Sequence, residues 1–382
     1  MDLGQIDDLI CAALRGENAA WPSTPRDDLE AMLIRRAKYQ GVSALLHERL
    51  LRLSAWPSSV REAVRRHALA QAFWELRHQK VLGEVLAALR TREIEPVLFK
   101  GTALAYGGVY ANPVWRARGD TDMIVAPQDR ERASETLVAS GFRRNTGVSG
   151  EFVSYQDSYT NEIEGGGLHT IDLHWRINNC ELLSRLFSYA ELRAEARPLP
   201  ALCDAALAAG PVHALLLACL HPVTHVHNPY FVDDVAYYGG DRLIWHYDVH
   251  LLAQSFTPAQ WQAFVNRAVV KGLCEISLEG LDRAAAWYGT HCPEIVRRAL
   301  TRTGEPVAAY LKAGRLHQGW INFSAIPGLA NRLRFARELF FPPMAYMRAK
   351  YAQSPGAWLL WLYARRAAGG LIKSLRRVHQ AR

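Results

Sequence analysis

Strand-type sequence in this 382-residue chain is confined to one stretch near its middle. On both sides, up to about residue 92 and from about residue 198, apolar residues recur at the three- and four-residue intervals of amphipathic helices. Between these regions, short runs are either wholly apolar or alternate between apolar and polar residues, as strands do. The pattern predicts an α+β fold, with an α/β core flanked by N-terminal and C-terminal helical domains.

The changes of pattern also predict the domain boundaries. We expect an N-terminal helical region over residues 1–92, an α/β core over residues 93–197, and a C-terminal helical domain with a basic tail over residues 198–382.

Composition indicates a globular protein, since 49% of residues are hydrophobic and 21% are charged. The acidic N-terminus lacks the features of a signal peptide, and no apolar run reaches the roughly 18–20 residues that span a bilayer. We therefore expect a cytoplasmic protein without a transmembrane segment. Six scattered cysteines without a CxxC pair argue against a zinc ribbon and against a disulfide framework.

The net charge of +8 belongs to the C-terminal tail. Eight basic and no acidic residues follow Leu339, whereas the residues before it hold 37 of each sign. The tail is predicted either to pack as a closing helix or to contact an anionic acceptor, an acidic partner or a membrane surface. Gly369 and Gly370 should divide the segment from Trp358 to Arg382 into two helices, or weaken a single one.

Two acidic residues stand at the head of a predicted strand, in the sequence Asp120-Thr121-Asp122. Side chains alternate between the faces of a strand, so both carboxylates should project to the same side. Neighbouring carboxylates repel each other unless a cation lies between them, and Mg²⁺ prefers carboxylate oxygens together with substrate phosphates. An exposed acidic pair without a metal ion is the alternative interpretation.

A second predicted strand carries a polar face next to a wholly apolar one. Asp172 and His174 share the polar face, and the intervening residues are apolar. If the two strands are neighbours, Asp172 would join Asp120 and Asp122, and three carboxylates can hold two Mg²⁺ ions.

These residues occur in an order that resembles a known family. The motifs are Lys100-Gly101-Thr102, Arg116-x-x-x-Asp120-x-Asp122, Ile171-Asp172-Leu173-His174-Trp175, Ala37-Gly41-Val42-Leu45-Leu46, His221 with His225, Arg242-Leu243-x-Trp245-x-x-Asp248, and Phe341-Pro342 followed by Met347-Arg348-x-x-Tyr351. The chain resembles, over most of its length, the bacterial uncharacterised nucleotidyltransferases of the polymerase-β-like superfamily.

The resemblance implies a nucleotidyltransferase core with a small mixed β-sheet flanked by helices, and within it a nucleotide site. A turn containing Gly101 would precede a helix whose N-terminus receives the triphosphate. The implied nucleotide-binding residues are Lys100, Gly101, Thr102, Arg116 and Arg118. Thr102 stands where the superfamily usually has Ser or Gly, and the separation of Gly101 from Asp120 is longer than usual, which affects the triphosphate geometry more than the metal site.

The resemblance also implies a reaction with Mg²⁺ or Mn²⁺ as cofactor. An acceptor hydroxyl or phosphate would attack the α-phosphorus of a nucleoside triphosphate and release pyrophosphate. Asp120, Asp122 and Asp172 would bind metal, Asp172 would also take the acceptor's proton, and His174 would act in proton transfer or pack as a hydrogen-bond donor. A peptide, protein, small molecule, sugar or RNA remains open as acceptor.

Further residues are expected to line the cleft between the core and the C-terminal helices. His221, His225, Arg242 and Asp248 are candidates for contacts with nucleotide or acceptor. A zinc site formed by the histidines of the run 221–227 with Asp233 and Asp234 is a weaker interpretation. Two other functions also stay open: a nucleotide-binding partner protein without turnover, and a toxin that adds nucleotides to RNA.

Overall fold

A computed structural model gives the fold of this protein. It describes residues 2–23, 27–53, 55–148, 150–163, 167–226, 230–232, 235–237, 242–351 and 358–380. For residues 163, 230–232, 235–237, 315 and 370–380 it describes the backbone alone.

The N-terminal region is helical, as the periodicity predicts. Asp2 caps the first helix, because its side chain accepts a hydrogen bond from the Gln5 N–H and the Gln5 side chain bonds back to the Asp2 N–H. Gly41 ends the second helix in the left-handed conformation, with φ of 71°. The helices are α1 (Leu3–Leu14), α2 (Leu29–Gln40), α3 (Ser43–Leu50) and α4 (Ser58–Thr91).

The middle of the chain alternates strands with short helices. In order they are β1 (Val97–Phe99), α5 (Lys100–Tyr106), β2 (Thr121–Ile124), α6 (Arg130–Ala139), β3 (Arg143–Arg144), β4 (Gln156–Ile163), β5 (Gly167–His174), α7 (Glu181–Ser184), α8 (Tyr189–Ala194), β6 (Arg197–Pro198) and β7 (Leu207–Ala208).

These strands form one mixed sheet. Among the described residues it has seven strands in the order β3-β4-β5-β2-β1-β7-β6, in which β2 pairs with β5 and β1 with β7 in parallel. The other neighbours are antiparallel, including β4 and β5, which are consecutive in the chain. The sequence Gly165-Gly166-Gly167 predicts a hairpin turn before β5, and Gly165 and Gly166 lie outside the described residues. The predicted α+β class is confirmed.

The sheet separates two apolar cores. On one side, Leu98, Met123 and Leu173 pack with the C-terminal half of α4 and with α6. On the other side, Phe99 and Ile124 join a larger core shared by the N-terminal helices and the helices that follow β7. The alternation along each strand therefore gives each side of the sheet its own covering layer.

The chain after the sheet is again helical, with one two-stranded ribbon. Its elements are α9 (Pro211–His225), β8 (Tyr230–Val232), β9 (Val235–Tyr237), α10 (Leu243–Gln254), α11 (Pro258–Lys271), α12 (Cys274–Tyr288), α13 (Glu294–Leu300), α14 (Pro306–Lys312), α15 (Arg315–Ala325), α16 (Leu329–Phe340), α17 (Met344–Tyr351) and α18 (Leu359–Gln380).

Two expectations about these regions need comment. Of the two outcomes expected at Gly369 and Gly370, two helices or a single weakened one, the structure has a single helix, since α18 runs through both; a glycine inside a helix costs about 1 kcal/mol and does not forbid it. The division of the chain at residues 92 and 197 stays a prediction. The sheet continues past residue 197 through β7, and one apolar core contains both the N-terminal helices and those after β7.

Candidate active site

Two aspartates face each other across the parallel pair β2 and β5. Asp122 is the register partner of Asp172, so their side chains leave the sheet at the same level. His174, two residues further along β5, lies on the same face, and its Nε2 is 3.0 Å from Oδ1 of Asp122. One ligand atom each of Asp122, Asp172 and His174 lies within 4.8 Å of the others. The expectation that a neighbouring strand brings Asp172 to Asp122 agrees with this geometry.

Lys100 reaches the same carboxylate from the start of α5. Its Nζ lies 2.6 Å from Oδ1 of Asp122. The Lys100 backbone has φ of 57°, a left-handed conformation that disfavours a side chain and that proteins retain mostly at functional sites. Burial alone would raise the pKa of Asp122, but the Lys100 ammonium and the hydrogen bond to His174 lower it below its usual range. Asp122 is therefore ionised at neutral pH.

The pKa values of Asp120 and Asp172 are raised, in contrast to that of Asp122. Asp120 directly precedes β2, lines the cavity with its side chain exposed, and is not a member of the group within 4.8 Å. Crowding by protein atoms and then the charges of Asp122 and Asp172 raise the pKa of Asp120 to about 7. Burial and the charge of Asp122 raise the pKa of Asp172. These shifts reflect mutual repulsion, because Asp120, Asp122 and Asp172, called the carboxylate cluster below, are three carboxyl groups beside the single cation Lys100.

The predicted glycine turn is the first turn of a helix. Gly101 lies in α5, and a Cβ there would be 3.3 Å from Cδ of Arg118. A side chain would therefore crowd the arginine, which explains the glycine by packing. The Thr102 hydroxyl is buried and lies 2.9 Å from the Thr121 hydroxyl, which joins α5 to β2. Gly101 lines the cavity and Thr102 does not.

Arg116 is held by a buried carboxylate of α10. Its Nε and Nη2 each donate to Asp248 over 2.7 Å, and Tyr110 donates a further hydrogen bond to Asp248. Both partners of the ion pair are at least 95% buried. At least three of the five N–H groups of Arg116 are engaged, since its Nη1 donates to the Ala117 carbonyl.

Arg118 makes an equivalent pair on the other side of the core. Its Nη1 and Nη2 donate to Glu75 of α4 over 2.9 and 2.6 Å, and its Nε donates to the Thr102 hydroxyl. Tyr106 donates to the same glutamate. Arg118 lies outside β2, which begins only at Thr121. The pairs Arg116–Asp248 and Arg118–Glu75 are called the arginine layer below.

Sequence reasoning missed the residues behind the aspartates. His78 of α4 lies with Nε2 2.7 Å from the Thr121 hydroxyl and with Nδ1 3.1 Å from Nδ1 of His169. The Gln156 side-chain amide donates to Oδ2 of Asp172 over 3.0 Å. Glu75 and His78 are spaced three residues apart on one face of α4, and this polar pair in an otherwise amphipathic helix was the available signal.

An aromatic wall made by His221, His225 and Trp245 closes the cavity opposite the sheet. The two imidazoles stack with ring centroids 4.6 Å apart, and Trp245 lies 4.5 Å from His221. Burial, followed by the nearby Lys100 charge, lowers the pKa of His225 to about 4, so this ring is neutral near pH 7. The wall supports the cleft position expected for His221 and His225. His227, Asp233 and Asp234 of the zinc interpretation lie outside the described residues.

Arg242 fixes the N-terminal helices to this wall. Its Nε donates to the Tyr39 carbonyl over 2.7 Å, and its guanidinium lies 5.4 Å from the Trp245 ring centroid. A Cβ on Gly41 would be 2.6 Å from an Arg242 nitrogen, so glycine is required there both by φ and by contact. Arg242 still lines the cavity, whereas Asp248 is committed to Arg116 and is absent from the cavity lining.

The cavity bounded by these groups has a volume of about 490 Å³. Its charged lining residues include the carboxylate cluster and Lys100. Its uncharged lining residues include Ile177, Cys180, Leu183, Tyr310, Leu311 and Gln318. A lining that combines charged and uncharged groups suits a substrate with an anionic group and an apolar or neutral body.

Comparison with known proteins gives the family. The model of a family described as uncharacterised nucleotidyltransferase matches residues 29–289, about two thirds of the chain. The chain belongs to this family. It is therefore a nucleotidyltransferase enzyme, and the expected family is confirmed. The match contains every residue of the carboxylate cluster, the arginine layer and the aromatic wall, but ends before Tyr310.

No curated protein matches the chain. Among the described residues, no helix is long and apolar enough to cross a membrane.

Proposed function

We propose that the protein transfers a nucleoside monophosphate from a nucleoside triphosphate to an acceptor hydroxyl or phosphate, with release of pyrophosphate and with Mg²⁺ or Mn²⁺ as cofactor. The observation that carries the proposal is the register pair Asp122–Asp172, which brings two carboxylates and His174 together at the wall of a large cavity. We also assign the core to the polymerase-β-like superfamily.

The residues fit a divalent cation of this class. Carboxylate oxygens are the ligands that Mg²⁺ and Mn²⁺ prefer, and the cluster has more negative charge than Lys100 neutralises. Asp122 and Asp172 would hold the cation, and Asp120 would complete the set from the cavity side. When bound, Mg²⁺ supplies positive charge that stabilises the phosphoryl oxygens during transfer.

The remaining groups have distinct roles in this proposal. The hydrogen bond from Gln156 holds Oδ2 of Asp172, so the other carboxylate oxygen is the one that would accept the proton of the attacking acceptor. The raised pKa of Asp172 favours that transfer. His174, hydrogen-bonded to Asp122, orients this carboxylate. An acceptor phosphate would need no such proton transfer.

The triphosphate is assigned to the cavity beside the carboxylate cluster. Lys100 and Gly101 line this cavity and remain our candidates for phosphate contact. Thr102, Arg116 and Arg118 are proposed to position the residues around the nucleotide instead of contacting it directly. Their polar groups already bond Thr121, Asp248 and Glu75. His221, His225 and Arg242 would contact the nucleotide or the acceptor, and Asp248 would act through Arg116.

The test is transfer of label. The purified protein is incubated with each nucleoside triphosphate labelled at the α-phosphorus, with Mg²⁺ and with cell lysate, and the labelled product is isolated and identified. Transfer should require the divalent cation and disappear with Asp122→Asn, but persist with Asp204→Asn, an exposed aspartate away from the cavity. Nucleotide binding without label transfer to any molecule would contradict turnover and favour a nucleotide-binding partner protein.

A further inference from the structure

The chain from residue 306 onward differs in charge from the rest of the protein. Residues 306–382 hold thirteen Lys and Arg but a single acidic residue, Glu338. The preceding 305 residues hold the other 32 basic and 36 acidic residues, so they are slightly acidic. The positive charge of the protein therefore belongs to one segment, which lies wholly beyond the part matched by the family.

The same segment exposes apolar side chains to an unusual degree. Among the described residues, eleven of the 21 large apolar side chains in the exposed class lie in this fifth of the chain. They are Leu316, Trp320, Leu329, Leu333, Leu339, Phe340, Phe341, Met344, Trp358, Leu360 and Trp361. Scattered single exposed residues need no explanation, but such a concentration marks an interaction surface.

Helical spacing organises these residues into faces. Leu316 and Trp320 are four residues apart on α15 and are 88% and 67% exposed. Leu329 and Leu333 have the same spacing on α16 and are also exposed. Each helix thus turns an apolar stripe away from the protein interior.

Helix α18 shows the same orientation. Leu360 and Trp361 are exposed, whereas Leu362 is buried and the Tyr363 hydroxyl donates to the Pro342 carbonyl. The face that packs on the protein is therefore not the one carrying Leu360 and Trp361.

The chemistry of the segment selects one class of partner. A helix with Trp, Phe and Leu on one side and Lys and Arg beside them binds at the boundary between lipid headgroups and acyl chains. Anionic headgroups add attraction for each basic residue near the surface. A second copy of this chain would bring two strongly basic segments together, which Coulomb repulsion opposes. Nucleic acid would use the cations but would leave the aliphatic stripes in water.

We propose that the exposed apolar stripes of α15 (Leu316 and Trp320), α16 (Leu329 and Leu333) and the start of α18 (Leu360 and Trp361) dock the protein onto an anionic lipid surface. The stripes would enter the headgroup region, and the basic residues beside them would contact lipid phosphates. None of these stripe residues lines the active-site cavity, and the inference does not depend on the reaction proposed above.

The experiment uses the full-length protein and lipid vesicles. Co-sedimentation is measured with vesicles of phosphatidylcholine alone and with vesicles containing equal parts of phosphatidylcholine and phosphatidylglycerol. We expect binding to the anionic vesicles at least about tenfold stronger than to the neutral ones. Raising the salt from 0.1 M to 1 M should weaken it, because the Debye length falls from about 10 Å to about 3 Å.

Two double variants separate the apolar and the charged contributions. Trp358→Ser with Trp361→Ser, and Arg348→Glu with Lys350→Glu, should each weaken binding to anionic vesicles by at least about tenfold. All four side chains are exposed, so folding should be preserved, which circular dichroism checks. The matched controls are Phe73→Ser with Leu76→Ser, and Arg66→Glu with Arg302→Glu, which alter exposed residues outside the segment.

The outcomes are decisive in both directions. Anionic-vesicle binding that only the segment variants weaken supports the proposal. It is overturned if the protein does not sediment with anionic vesicles, or if the control variants lose as much binding. It is also overturned if the protein binds single-stranded RNA but not vesicles. The same holds if the protein does not bind vesicles and ultracentrifugation shows self-association that the Trp variant abolishes.

Discussion

The carboxylate cluster and the arginine layer lie beside each other but balance their charges differently. In the arginine layer, each buried guanidinium meets one buried carboxylate with paired hydrogen bonds. In the cluster, three aspartates share one lysine beside a cavity. Buried charges that only stabilise a fold are expected to be matched, because an unmatched one is costly. The unmatched negative charge therefore indicates where a cationic group is expected during function.

The largest expected effect concerns activity and falls on the cluster. Asp122→Asn removes the carboxylate that Lys100 and His174 both contact, and with it a metal ligand. We expect label transfer to fall by on the order of 10⁴-fold, equivalent to about 5 kcal/mol. Steady-state rates with Mg²⁺ test this. A rate within tenfold of the wild type would show that the cluster is not the metal site.

Replacing an arginine of the arginine layer should instead lower the free energy of unfolding. Arg116→Met leaves Asp248 buried without its partner, so the free energy of unfolding should fall by about 3–5 kcal/mol. Urea denaturation measures this, and adding Asp248→Leu should recover most of the loss. Arg298→Met, which breaks an exposed pair with Glu294, is the control and should cost less than about 1 kcal/mol. Equal losses of unfolding free energy in Arg116→Met and Arg298→Met would remove the distinction between the arginine layer and the carboxylate cluster.

A smaller effect is expected when the single cation of the cluster is removed. Lys100 competes with a metal ion for Oδ1 of Asp122, so Lys100→Met should tighten Mn²⁺ binding by about tenfold, as measured by titration calorimetry without nucleotide. Lys271→Met is the matched control, since Lys271 is equally exposed at 22% and pairs with Glu191. Weaker Mn²⁺ binding by the Lys100 variant would instead make the lysine part of the cation site.

The smallest effect concerns pH. The folded protein raises the pKa of Asp120 from 3.8 to about 7, so its protonated form is favoured by folding. That contribution is complete below about pH 4 and is lost as the pH rises through about 7. Without metal, the wild type should therefore lose stability across this range relative to Asp120→Asn. Because water in the cavity screens the exposed side chain, we expect a difference of about 1 kcal/mol. If the unfolding free energies of the wild type and Asp120→Asn change in parallel with pH, the raised pKa of Asp120 is contradicted.

Much of the candidate site followed from periodicity in the sequence. Alternation placed Asp172 and His174 opposite an apolar strand face, and the spacing of Asp120 and Asp122 placed both at the cavity. The hydrophobic effect acts on every second strand residue, so the identity of the buried face is local information. The same reasoning separated the helical regions from the sheet.

The partners of the arginines could not be predicted in this way. Arg116 and Arg118 are two residues apart and both resemble phosphate ligands in sequence, yet one meets Asp248 and the other Glu75, 132 and 43 residues away. The continuity of α18 through Gly369 and Gly370 was likewise not evident, because a glycine pair weakens a helix without determining where it ends.

The sequence by itself determined which residues alternate, which segments are helical and that the positive charge lies at the C-terminal end. Only the tertiary structure decided that Asp122 and Asp172 are register partners, that Lys100 reaches Asp122, and that buried glutamate and aspartate engage the two arginines. The physical reason is the distance along the chain over which each feature is determined. Periodicity records the environment of a residue's own element, whereas a buried ion pair depends on where two distant elements meet and is encoded in neither of them alone.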